Sequence, residues 1–221
     1  MIEHESAALH VTGEAVYVDD ILVNEQLLCG RVFYSQHAHA RIKSYDIKKA
    51  QKLDGVYAVL TYKDIPGKNQ MGPVFHDEPV LAENEVTFIG QAIFLIAAIN
   101  EDIAIKAERL IKIEYEPLNA ILTIEDAIAR GELIQPERKI ECGNVVSSLK
   151  NSLHKIEGTL KVGGQEQWYL ETQVCLALPG EGKEITAYSS TQHPSETQSL
   201  IAEVLDKPKM EVEVICRRMG G

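Results

Sequence analysis

Ala92-Ile93-Phe94-Leu95-Ile96-Ala97-Ala98-Ile99 is followed by Asn100 and then by Glu101-Asp102-Ile103-Ala104-Ile105-Lys106-Ala107-Glu108-Arg109-Leu110-Ile111. The first eight residues are unbroken and apolar. That length and that lack of alternation predict a strand covered on both faces. Asn100 is a good helix N-cap. Ile103, Ala104, Ala107, Leu110 and Ile111 then recur on one side of a helix. Lys112-Ile113-Glu114-Tyr115 reads as the next strand, stopped by Pro117. A strand–helix–strand unit of this kind favours mixed α/β or α+β architecture over an all-α or all-β fold.

Upstream of this unit, residues 15–18 and 27–33 read as strands, with Gly30 as a bulge position. Asp46 is placed to cap a helix over 47–53, Gly55 to end it, and 56–60 to form the next strand. Residues 64–79 carry Pro66-Gly67, Gly72-Pro73 and Pro79 and read as a loop. Downstream, Thr123 caps a short helix, with Asp126 at the capping-box position. The stretch 131–144 is charged, carries Gly131, Pro136 and Gly143, and reads as a linker. Beyond it, 155–160, 174–178, 184–189 and 211–216 read as strands, and Ser195 caps a helix over 196–205. The expected division is a first domain over 1–128, a linker over 129–144, and the beginning of a second domain over 145–221.

With 45% hydrophobic and 25% charged residues, the 221-residue chain has the composition of a folded globular protein. Its net charge of −11 and its lack of a basic stripe argue against nucleic-acid binding. No apolar run is long enough to span a bilayer. The start, Met1-Ile2-Glu3-His4-Glu5, carries no signal-peptide pattern, so a cytoplasmic location is expected. Cys29, Cys142, Cys175 and Cys216 are far apart, which argues against a zinc ribbon or a four-cysteine iron–sulfur site.

Val162-Gly163-Gly164-Gln165-Glu166-Gln167-Trp168-Tyr169-Leu170-Glu171 is the most suggestive segment. Two glycines let a backbone approach another group closely. Gln165 offers a donor and an acceptor without charge, which suits orientation of a cofactor oxygen and not proton abstraction. The plain alternative is a hairpin turn whose polar residues cap backbone groups. His37-Ala38-His39 puts two imidazoles on one face of a strand, but no third ligand is near in sequence. His76-Asp77-Glu78 and His10 near Asp19-Asp20 have metal-compatible chemistry in loop settings, where ordinary hydrogen bonding is the simpler reading. The carboxylate pairs Glu114/Glu116 and Asp19/Asp20 cannot be placed across a cleft from sequence. Nucleophile-elbow, P-loop and dinucleotide-binding patterns are absent.

Taken together the segments are more specific than any one of them. Thr12-Gly13-Glu14-Ala15-Val16-Tyr17-Val18-Asp19-Asp20-Ile21 and His37-Ala38-His39-Ala40-Arg41-Ile42 come first. Gly90-Gln91-Ala92, Glu114-Tyr115-Glu116-Pro117-Leu118, the 163–171 segment, Ser190-Thr191-Gln192 and Arg218-Met219-Gly220-Gly221 follow in order. The series resembles the N-terminal part of the molybdenum-binding subunit of the xanthine dehydrogenase and aldehyde oxidase family.

That resemblance implies an α/β-hammerhead domain leading into the beginning of a molybdopterin-binding domain. It implies hydroxylation of hypoxanthine and xanthine toward urate with oxygen from water, or oxidation of aldehydes by the same fold. A non-catalytic assembly or binding module built on the hammerhead is the third reading. Electrons would pass from molybdenum to 2Fe-2S clusters and FAD on other domains or subunits. The complete enzyme would be a homo-oligomer with a purine substrate and neither nucleic-acid nor membrane partners. Matched position by position, Gln165 would hydrogen-bond an oxygen ligand of molybdenum, an indirect metal contact. Gly163 and Gly164 would leave room beside the cofactor, and Gly220 and Gly221 would open the glycine-rich loop on the pterin side. Gln167 and Trp168 depart from the usual His-Phe of that signature. The rest of the loop and the family's catalytic carboxylates are not in this sequence, so no catalytic residue is assigned. The chain by itself is expected to be inactive and to hold no stoichiometric molybdenum.

Overall fold

A computed structural model describes residues 6–23, 27–72 and 74–220. The chain divides into two compact units, Met1–Asn119 together with Trp168–Gly221, and Ala120–Gln167.

The first unit holds three small sheets. Strands β1 (Cys29–Tyr34), β2 (Ala40–Asp46), β3 (Val56–Leu60), β4 (Glu85–Val86), β5 (Ala92–Ala98) and β6 (Lys112–Pro117) form two of them. Their orders are β1-β5-β3 and β4-β2-β6, and all pairings are antiparallel. The apolar run at 92–98 is therefore the central strand of its sheet, as its lack of alternation predicts. Ile93, Phe94, Ile96 and Ala98 are each no more than 1% exposed. Phe94 sits 5.7 Å from the Phe33 ring and 5.1 Å from the Tyr45 ring, so one core joins the two sheets.

Helix α3 (Glu101–Leu110) connects β5 to β6, and so crosses from one sheet to the other. Asn100 Oδ1 accepts the Ile103 N–H at 2.9 Å, and Ala104 and Ala107 face the core. The preceding helices are α1 (Ala7–Thr12), which lay outside the sequence reading, and α2 (Lys48–Gln51). Helix α2 is shorter than the 47–53 expected. Its N-cap is Ile47, while Asp46 Oδ1 accepts the Lys48 N–H at 3.0 Å from one position earlier. Gly55 adopts φ +84°, the left-handed conformation that favours glycine.

Several expectations are corrected. Residues 15–18 form no strand; Val18–Asp20 is a 3-10 turn, because Asp20 Oδ2 captures the Tyr17 N–H at 2.9 Å. Side-chain acceptors of this kind compete with sheet ladders for the backbone donor. Gly30 pairs regularly with Ala97, and the irregularity in β1 falls at Phe33/Tyr34. His37 and His39 lie in the bend before β2, not on a strand.

The third sheet, β7 (Cys175–Pro179), β8 (Ile185–Ser189) and β9 (Val212–Ile215), has order β7-β8-β9 with β8 and β9 parallel. Helix α6 (Pro194–Val204) packs on it against β9, and Ala202, Val212 and Ala187 are each buried. Its N-cap is His193, not Ser195, since Pro194 takes the first helical position, where its missing N–H costs nothing. At the other end of α6, the N–H groups of Gly67 and Lys68 donate to Val204 O and Glu203 O at 2.9 and 3.0 Å. A Cβ at Gly67 would lie 2.0 Å from Glu203 O, so only glycine permits this approach.

The second unit holds α4 (Ile124–Arg130) and α5 (Val145–Asn151). Thr123 Oγ1 accepts the Asp126 N–H at 3.1 Å, the expected cap. Residues 131–144 carry no regular element, and neither do 155–160, which were expected as a strand. Among the described residues no strand pairs with them, and a lone strand leaves its backbone groups unsatisfied.

Candidate functional site

The glycine-glutamine segment lies in irregular, extended chain at the end of the second unit. Gly163, Gly164 and Gln165 are exposed, and no hairpin forms there. A Cβ built on Gly163 or Gly164 meets nothing within 4 Å. The fold of this chain therefore does not itself require glycine at either position. Among the described residues no hydrogen bond engages the Gln165 side chain, so its amide keeps both donor and acceptor capacity. Trp168, at the start of the returning segment, holds a left-handed φ of +49°, uncommon for a bulky side chain.

Gly220 is held differently. Its N–H donates to Ser190 O at 2.7 Å. A Cβ there would lie 2.1 Å from Glu171 O and 2.6 Å from Ser190 Cβ. Ser190, 4% exposed, accepts the Val174 N–H on Oγ at 3.2 Å. The Cys216 thiol donates to Thr191 O at 3.1 Å, and burial first, then the Glu171 charge, pushes its pKa up. A protonated thiol is a poor nucleophile and can donate, though weakly, to a carbonyl. Residues 171–174, 190–191 and 216–220 thus form one hydrogen-bonded knot in which glycine is sterically required. Gly221 lies outside the described residues, as do Met1–Glu5. Sequence reasoning set Gly220 apart but missed its pairing with Ser190. The only local signal was the polar triplet at 190–192.

The other candidates are absorbed by local structure. His37 packs on the Tyr115 ring at 4.5 Å, and His39 bonds Asn119 O and Glu85. Glu114 accepts from Ser44, Glu116 pairs with Arg41, and Asp20 caps Tyr17. His10 Nδ1 lies 3.3 Å from the Tyr17 hydroxyl. Among the described residues no group of three His, Cys, Asp or Glu could hold a metal, His76-Asp77-Glu78 included. A largely apolar cavity of about 510 Å³ lies near Tyr34, Met71, Val80 and Phe88. Its buried amide, Gln91, is already engaged by the Thr87 N–H at 2.7 Å.

A family model described as aldehyde oxidase and xanthine dehydrogenase, a/b hammerhead domain, matches residues 12–119. A second, molybdopterin cofactor-binding domain, matches residues 128–221. The chain belongs to the xanthine dehydrogenase and aldehyde oxidase family.

Within that family, the xanthine dehydrogenase of Dictyostelium discoideum is 44% identical over 220 residues, covering 100% of this chain and 16% of that protein. Aldehyde oxidase 4 of Cavia porcellus is 40% identical over 223 residues, again 100% and 16%. The chain therefore spans about one sixth of the length of these relatives. The aldehyde oxidoreductase of Desulfovibrio gigas superposes with a TM-score of 0.86 over 98% of this chain and 26% of that one. At 24% identity this likeness supports the fold: a hammerhead leading into a molybdopterin-binding domain. Open space at Gly163 and Gly164 and the neutral amide of Gln165, unengaged among the described residues, are chemically compatible with a molybdopterin cofactor. Among the described residues no helix is long and apolar enough to cross a membrane.

Proposed function

We propose that this chain is part of a cytoplasmic molybdenum hydroxylase that converts hypoxanthine and xanthine toward urate with oxygen from water. The observation that carries this reading is Gln165: an exposed, unengaged amide directly after two glycines that nothing in the fold demands. Family membership supplies the partner such an amide would meet. When bound, the molybdenum-molybdopterin cofactor supplies the redox chemistry. Gln165 would donate to an oxygen ligand of the metal and, carrying no titratable proton, would orient it without acid–base chemistry. Gly163 and Gly164 keep the backbone clear, and Gly220 with Gly221 opens the loop on the pterin side. The catalytic carboxylates lie elsewhere in the enzyme, with 2Fe-2S clusters and FAD on other domains or subunits, so the chain alone is inactive. The division proposed is 1–128, a linker 129–144, and 145–221, whereas the two family models match 12–119 and 128–221.

The test is made in the complete enzyme. Gln165→Ala is expected to lower molybdenum retention or turnover by about 10–100-fold, the usual effect of losing a group that orients a metal ligand. Unchanged metal content and rate would overturn the assignment. The relative named aldehyde oxidase 4 keeps a second reading in view. Faster turnover of an aromatic aldehyde than of xanthine would select it. No turnover and no cofactor would select the binding module.

A further inference from the structure

We infer that Glu171 is a positioning residue that ties the Tyr17–Val18 turn, held by its carboxylate, to the loop carrying Gly220, which passes over its carbonyl. The inference rests on the reading above only for what that loop serves; the tie itself stands on geometry.

Three segments distant in sequence meet at this side chain. The Val18 N–H donates to Glu171 Oε1 at 2.6 Å across 153 residues. That is short for N–H···O, as expected of a charge-assisted bond. Val18 itself is 5% exposed, so its N–H has little water to fall back on. The neighbouring Tyr17 ring lies under the Arg218 guanidinium, whose carbon is 5.7 Å from the ring centroid. Arg218 belongs to the same loop as Gly220, and Gly220 passes over the Glu171 carbonyl closely enough to exclude any Cβ.

Two polar atoms in this knot are buried without a hydrogen-bond partner among the described residues: Glu171 Oε2 and Arg218 Nε. One is an anionic acceptor, the other a cationic donor. Arg218 Nη1 donates to Arg217 O at 2.7 Å, so the guanidinium is anchored within its own loop. The raised pKa of the Cys216 thiol, partly caused by Glu171, is a further sign that the carboxylate faces this loop. Glu171 Oε1 thus holds the turn, and its carbonyl sets the height of Gly220.

The test is backbone amide hydrogen exchange in the full chain, read by NMR at Val18 and Gly220, in Glu171→Ala, Glu171→Gln and Glu171→Asp. Glu171→Ala is expected to speed Val18 exchange about tenfold or more, as loss of a hydrogen bond to a charged group should, and to speed Gly220 exchange with it. Glu171→Gln keeps an acceptor oxygen and should hold Val18 within about twofold of wild type. Unchanged exchange at Val18 or Gly220 in a folded Glu171→Ala chain overturns the inference. If Glu171→Ala does not fold, Glu171→Asp decides alone: its shorter side chain should speed exchange at both sites, and unchanged exchange overturns the inference. No cofactor enters this measurement, so its failure is separable from failure of the Gln165 assignment, which metal content judges.

Discussion

His39 Nε2 lies 2.7 Å from Glu85 Oε1, while Nδ1 of the same ring lies 2.9 Å from Asn119 O. Both partners are acceptors, and only the imidazolium can donate to both at once. The Asn119 carbonyl first, and Glu85 second, raise the His39 pKa above its ordinary 6.5. With the folded value above the unfolded one, the stabilisation is complete below about 6.5 and is lost as pH rises through the folded value. An NMR titration should place the His39 midpoint above 6.5, and His39→Gln should remove that slope from stability measured against pH. A midpoint at or below 6.5 would contradict the geometry.

Asn100 terminates β5 and starts α3 through one side-chain bond to Ile103 N–H. Asn100→Ala should cost about 1 kcal/mol in denaturant unfolding, and Asn100→Asp should restore most of it. Equal losses for both variants would mean that the cap is not what the side chain contributes.

Phe94 touches aromatic rings from two sheets in a core where it is 1% exposed. Phe94→Ala should therefore destabilise by about 3–5 kcal/mol. A loss under about 1 kcal/mol would show that the two sheets do not share this core.

The two glycine sites should separate cleanly. Gly163→Ala meets nothing within 4 Å and should leave the melting temperature of the chain unchanged, while lowering molybdenum content in the complete enzyme. Gly220→Ala would place a methyl 2.1 Å from Glu171 O, so it should perturb the chain even without cofactor. Thermal melts of the two variants, beside metal analysis of the enzyme, check the contrast.

What could be read from sequence was local. The strand at 92–98, the Asn100 and Thr123 caps and the Gly55 turn each depend on residues within a few positions of one another. The errors had non-local or side-chain causes. Residues 155–160 have a strand's alternation, but no strand among the described residues pairs with them. At Tyr17 a single aspartate took the backbone donor that a strand would have used. The Gly220 knot was illegible because Glu171, Ser190 and Gly220 share no periodicity; only the fold brings them together. Gln165 stands apart, since its motif was visible while its local structure alone assigns it no partner.

The donation from Gly67 and Lys68 to the last carbonyls of α6 also bears on how the chain reaches its native state. Glu203 O also accepts locally from Asp206 N–H, but Val204 O waits for a loop more than 130 residues earlier, and the approach tolerates no side chain at Gly67. Closing so long a loop carries an entropic barrier that local helix formation does not. During synthesis the 64–72 loop emerges first and α6 much later, so the contact must form late. A peptide of 168–220 expressed alone should show a frayed α6 terminus, and adding 6–119 in trans should firm it.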